Sequence, residues 1–133
     1  MLRLVDYKSG SDSPSVISVT DADAGAVVEK IFDGPYKTRK EFKAALQFHI
    51  YDRMAQAAGL TADGAHIFNS MYSTSDMFRN VPSVNMMSAV FAELMDEKVK
   101  ALIDEIRNPD SPFRKADEEE ACRYCDFKMI CGR

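Results

Sequence analysis

Residues 2–10 read Leu2-Arg3-Leu4-Val5-Asp6-Tyr7-Lys8-Ser9-Gly10, an apolar run that ends in a carboxylate, a phenol and an amine before a Ser-Gly turn. Short, apolar and closed by turn residues, the stretch has the signature of a β-strand. Alternation along a strand places Leu4, Asp6 and Lys8 on one side and Arg3, Val5 and Tyr7 on the other. A carboxylate and an ammonium two residues apart on one face can hold a divalent cation and a water molecule side by side. The cation would lower the pKa of the water and screen a phosphodiester, while the ammonium would orient the water and offset developing charge. The simpler alternative is an exposed ion pair at a strand end, worth at most about 1 kcal/mol. The triplet by itself does not choose between the two.

Outward from this strand the chain reads as α/β. Residues 9–14 carry loop chemistry, and Val16 to Val19 form a short strand or an extended lead into a helix. Thr20 or Asp21 is placed to cap a helix bearing Val27, Val28, Ile31 and Phe32, which Gly34-Pro35 ends. A stronger helix follows: Phe42, Leu46, Ile50 and Met54 recur every four residues, Ala45 and Ala57 widen the stripe, and Gly59 closes it. Thr38 and Glu41 have the spacing of a capping box. Residues 65–72 read as a second strand, with Ile67, Phe68 and Met71 pointing to both faces as in an interior position. A long helix is expected from about Val84 to Arg107, before Asn108-Pro109 stops it. Its apolar stripe would be Met87, Val90, Phe91, Leu94, Met95, Leu102, Ile103 and Ile106. The expected architecture is a few-stranded sheet packed by two long helices over residues 1–110. An irregular cysteine-bearing tail follows over residues 111–133.

Two more groups carry chemistry. Gln47 and Tyr51 stand four residues apart, stacked on one helix face beside the apolar stripe, where an amide and a phenol can reach a phosphate. A helix-flank pair with one foot in the core is the plainer account of them. Cys122, Cys125 and Cys131 put two thiols on one tight turn and a third on the next. Such a set suits zinc or an iron–sulfur cluster, both of which prefer four ligands. An odd count and a reducing cytosol argue against a disulfide. His49 and His66 fit no ligand spacing. Lys37, Arg39, Lys40 and Lys43 read as a solvated helix end, although they could touch a DNA backbone.

Composition bounds the rest. The 133 residues are 46% hydrophobic and carry a net charge of −4, which suits one domain with a real core. No apolar run approaches the roughly 20 residues of a membrane span, and no charged-then-apolar leader opens the chain, so the cytoplasm is the expected compartment. The acidic balance argues against holding nucleic acid by charge alone.

Together, the order and spacing of these elements resemble the PD-(D/E)xK nucleases, specifically their RecB- and AddB-like branch. In that branch an apolar strand ends in Asp-Tyr-Lys-Thr-Gly or a close variant, matched by Asp6 to Gly10. A Gln-x-x-x-Tyr helix follows, matched by Gln47 and Tyr51, and then Cys-x2-Cys-x5-Cys, matched by Cys122, Cys125 and Cys131. The resemblance implies a partial restriction-endonuclease-like core acting as a metal-dependent DNA exonuclease in repair or recombination. Asp6 would ligate catalytic Mg2+ or Mn2+, with the Tyr7 carbonyl as a further ligand, and Lys8 would position the attacking water. Gln47 and Tyr51 would support the site and the DNA strand. The three cysteines would hold a 4Fe–4S cluster, with Zn2+ as the alternative. The preceding strand of the family supplies a second metal-binding Asp, an earlier helix a Glu or His, and an upstream segment the fourth cysteine. None has a counterpart in this sequence. The expectation is therefore the C-terminal portion of a nuclease domain, inactive alone, acting beside a helicase subunit or domain, with a sheet edge open to self-pairing. A non-catalytic zinc- or cluster-binding interaction module is the competing expectation.

Overall fold

A computed structural model describes residues 2–8, 19–60, 67–73 and 88–133, with side chains described at 4–7, 19–60 and 88–133. Strand β1 (Leu2–Lys8) is followed by helices α1 (Ala24–Phe32) and α2 (Tyr36–Ala57), strand β2 (Ile67–Ser73), helix α3 (Ala89–Arg107) and a single turn, α4 (Glu119–Cys122). β1 and β2 run parallel in a two-stranded sheet, with Asp6 opposite Met71 and Lys8 opposite Ser73. Parallel neighbours need a long crossover, and here α1 and α2 supply it. The described residues are mostly helical. The expected facing of Ile67, Phe68 and Met71 concerns side chains outside the described residues, as do Met87 and the start of the long helix near Val84.

Helices pack chiefly on helices. Val19, Val27, Val28, Ile31, Ala45, Phe91 and Met95 form the main buried cluster, with Phe32, Phe42, Leu46, Leu94 and Val99 against it. Each large apolar side chain among them contributes roughly 1.5–3 kcal/mol by leaving water. Among the described residues the buried core lies between the three helices, and β1, paired with β2, touches α2; the expected packing of the sheet by two long helices rests on side chains outside the described residues.

The stripe expected on α2 is corrected. Ile50 is 43% exposed and Met54 63%, whereas Ala45, Phe48, His49 and Ala55 are buried. A row of every fourth residue winds about 40° per step around a helix of 3.6 residues per turn. The row that begins against the core at Phe42 therefore reaches solvent by Met54. The expected capping box is also absent: Thr38 and Glu41 lie inside the helix, whose first residue is Tyr36. Glu118 caps it instead, both carboxylate oxygens accepting from the Tyr36 amide at 3.0 Å, and Arg39 joins at 3.3 Å. At the other end Gly59 closes α2 as expected. At a φ of +68° it lets its own amide reach the Gln56 carbonyl and that of Leu60 reach Ala55.

Neither Thr20 nor Asp21 sits at the cap position of α1, which Asp23 occupies; Thr20 Oγ1 accepts from the Asp23 amide at 3.3 Å. Ser88 caps α3, its hydroxyl accepting from the Phe91 amide at 3.1 Å. Leu102, Ile103 and Ile106 do not join the core: α3 runs past the reach of α1 and α2, and Ile106 is 74% exposed. In the tail, the Arg133 guanidinium donates to the Ala116 carbonyl at 2.7 Å and Lys115 to that of Cys131 at 3.2 Å, closing the segment on itself.

One polar residue enters the core. His49 is 3% exposed, lies edge-on to the Phe91 ring, and bonds through Nε2 to Asp96 of α3 at 3.0 Å. Arg53 grips the same carboxylate. Burial pushes the His49 pKa below the ordinary 6.5, and Arg53 adds to that, against the opposing pull of Asp96. The unfolded chain therefore takes up a proton at a higher pH than the folded one does. Stability contributed by neutral His49 is complete above about pH 6.5 and falls as the pH drops below it. The urea midpoint should decline between about pH 8 and about pH 5, and His49→Gln should flatten that decline. An unchanged slope in the variant would assign the decline to other groups.

Candidate active site

β1 delivers its carboxylate through simple alternation. Leu4 and Asp6 are half-buried, whereas Val5 and Tyr7 face solvent, Tyr7 at 71% exposure. Asp6 thereby meets the flank of α2, where Gln47 Nε2 lies 3.5 Å from Asp6 Oδ1, the outer limit of a hydrogen bond. The same amide nitrogen donates to the Tyr51 hydroxyl at 2.5 Å. One glutamine thus ties the end of a strand to a phenol one helical turn away, across 41 residues of sequence. Tyr51 is fixed in turn by Phe48, wholly buried beneath it, whose ring stands edge-on at 6.2 Å. The positions of Asp6, Gln47 and Tyr51 are therefore set by backbone geometry and packing rather than by loops. Lys43, Leu46, Gln47, Ile50 and Tyr51 line an open groove of about 310 Å³ along this face. A carboxylate, an amide and a phenol beside an open groove are an oxygen-rich set suited to a hard cation and a phosphate.

Of Lys8 only the backbone is described, so its expected place beside Asp6 lies outside the described residues. The ring of Tyr7 turns to solvent, so any part of that residue in binding a cation falls to its backbone carbonyl.

A family model for the PD-(D/E)XK nuclease superfamily matches residues 1–132. The chain belongs to that superfamily. Comparison with curated proteins and with solved structures gives no significant match. Superfamily members are typically metal-dependent nucleases that use Mg2+ or Mn2+. Asp6 suits such an ion, because Mg2+ is usually held by one or two carboxylates together with substrate phosphates and water. No group of three His, Cys, Asp or Glu gathers among the described residues of this PD-(D/E)XK chain. Its described part thus offers the cation one carboxylate. Among the described residues no helix is long and apolar enough to cross a membrane.

The cysteines do not fit the expected cluster. Cys122, Cys125 and Cys131 are free and half-buried, but they do not form a group able to hold a metal ion. The reason is local. Cys122 ends the α4 turn, its carbonyl accepts from the Cys125 amide at 3.2 Å, and Cys131 follows two further turns with its carbonyl held by Lys115. These bonds close the tail without metal, so the geometry supports neither the 4Fe–4S cluster nor its zinc alternative. Anaerobically purified protein should carry well under one iron or zinc per chain, and all three thiols should react with a disulfide reagent without a chelator. Stoichiometric metal that masks the thiols until chelated would reverse this conclusion.

Two contacts escape a reading of the sequence. Glu118, within the acidic residues 117–120, anchors the tail to α2. The His49–Asp96–Arg53 cluster joins residues from two helices, and only the i, i+4 spacing of His49 and Arg53 hints at it.

Proposed function

We propose that the chain is the C-terminal part of a metal-dependent DNA exonuclease of the RecB- and AddB-like kind, hydrolysing phosphodiesters in repair or recombination beside a helicase. The observation that carries this reading is the Asp6–Gln47–Tyr51 linkage, in which the amide and phenol of α2 line one groove and the amide reaches the carboxylate of β1 beside it. Asp6, with the Tyr7 carbonyl, would hold Mg2+ or Mn2+. When bound, the cation would polarise the phosphodiester and ease deprotonation of the attacking water. Lys8 orients that water and offsets the charge that grows on the phosphate. Gln47 holds Asp6 Oδ1 beside the groove-lining face of α2. Tyr51, whose oxygen already accepts from Gln47, turns its hydroxyl proton toward a phosphate oxygen of the strand. Residues 1–110 carry this chemistry and residues 111–133 brace the N-terminal end of α2.

Because one carboxylate is a weak hold on a cation, the 133-residue chain by itself should show at most trace cleavage. It should still bind DNA more tightly when Mn2+ is present, since a cation held by Asp6 would offset the phosphate charge. Fluorescence anisotropy of a labelled oligonucleotide, with and without Mn2+, tests this. Indifference to the cation would remove the basis for the nuclease reading. Robust cutting by the chain would overturn the statement that it is inactive alone.

A further inference from the structure

The four basic residues near the start of α2 do not behave as one solvated group. Arg39 is engaged by Glu118 at 3.3 Å. Lys37 is rotated by about 80° from Gln47 around the helix, at 100° per residue. Lys40 and Lys43 instead lie within about 40° of Gln47, one to two turns toward the N-terminus. Lys43 lines the groove itself, with Leu46, Gln47, Ile50 and Tyr51. Both lysines are exposed, and among the described residues neither meets a carboxylate. Beyond Gln47 the same face also carries apolar surface, Ile50 before Tyr51 and Met54 after it being 43% and 63% exposed. One side of a 22-residue helix thus carries two cations, then the amide that meets Asp6 and the phenol bonded to that amide, interleaved with the exposed apolar side chains of Ile50 and Met54.

We propose that this face of α2 is a track for a single DNA strand, in which Lys43 and Lys40 each hold a phosphate on one side of the bond to be cut. The inference rests on the nuclease reading above and adds the direction in which the strand leaves the site. Lys43 stands about 6 Å along the helix axis from Gln47, and Lys40 about 10 Å, at 1.5 Å per residue. Successive cations spaced in this way meet successive phosphates of an extended strand. Ile50 and Met54 lie on the opposite side of the cut, where unpaired bases and sugars offer apolar surface that a duplex keeps stacked. Charge complementarity selects the occupant: the chain is acidic overall, yet this face carries Lys40 and Lys43, while the exposed acid between them in sequence, Glu41, is turned about 120° from Gln47 around the helix.

The test is the salt dependence of binding to a short fluorescein-labelled oligothymidylate, followed by anisotropy in Ca2+ so that cleavage does not intervene. Each phosphate contact to a single strand contributes about 0.7 to the slope of log K against log salt. Lys43→Gln and Lys40→Gln should each flatten the slope by about 0.7 and the double variant by about 1.4, while Lys37→Gln leaves it unchanged. The single strand should also bind more tightly than a duplex of equal length. If the wild-type chain binds but the Lys40 and Lys43 variants keep its slope, or Lys37→Gln flattens it equally, the track is wrong and the nuclease reading stands. If the wild-type chain binds no DNA even at low salt, both fall.

Discussion

Asp6→Asn should abolish the response of DNA binding to Mn2+, raising the cation concentration needed for half the effect by more than about 100-fold. The magnitude follows from a comparison with the neighbouring amide. Loss of a side chain that only orients a metal ligand typically costs about 10–100-fold in metal affinity. Gln47 is placed to be such a side chain, 3.5 Å from Asp6 Oδ1, so Gln47→Ala should fall within that range. Asp6 is the carboxylate itself, and asparagine keeps its shape while removing its charge. Tyr51→Phe should leave the response to Mn2+ intact, because it removes a hydroxyl two contacts away from the cation while Phe48 still holds the ring. Titration of Mn2+ against anisotropy for the three variants reads out this order. An Asp6→Asn protein with a wild-type Mn2+ curve would show that the cation is held elsewhere.

Phe91→Ala should be the most destabilising substitution in the described core, at roughly 3–5 kcal/mol. That is a large part of the roughly 5–15 kcal/mol by which domains are stable, so the urea midpoint should move far toward zero. The ring is fully buried where α3 meets α1 and α2, and the groups that would have to collapse into its space are held by their own helices. It is also the wall of the His49 site, edge-on at a centroid distance of 6.1 Å. Removing it admits water to an imidazole whose pKa is lowered chiefly by burial. The pKa of His49, read from its ring protons by NMR, should therefore rise toward the ordinary 6.5 in Phe91→Ala. Phe91→Leu should restore most of the stability and keep His49 dry. A Phe91→Ala protein with a wild-type midpoint would mean that the three-helix core does not limit stability.

The contrast between α2 and β1 shows which features are legible in the residues alone. In β1 the period of two leaves little freedom, and Asp6 stands on the same side as Leu4 as alternation requires. Gly59 likewise marks the end of α2, because few other residues accept a φ of +68°. The apolar face of α2 is misplaced by its pattern, since a four-residue row drifts around the helix and periodicity cannot say which part of the drift is covered. Ile106 misleads for a related reason: an apolar residue on an amphipathic face is buried only where something reaches it. The cysteine spacing suggests a metal site, but spacing fixes how close thiols can come and not whether the turns between them aim them at one point.

The sequence by itself determined that the apolar run of β1 leads into a carboxylate, that a glutamine and a tyrosine share one helix face, and that the chain belongs to a nuclease superfamily. These are properties of local period and of motif order, and both are carried by neighbours along the chain. Only the tertiary structure decided that Gln47 bridges Asp6 to Tyr51, that Glu118 takes Arg39 away from the basic group, and that Lys43 lines the groove. Each of those depends on the rotation of α2 about its own axis. That rotation is set by how Phe48, Ala45 and Phe91 pack, a balance among residues far apart in sequence that no local pattern encodes.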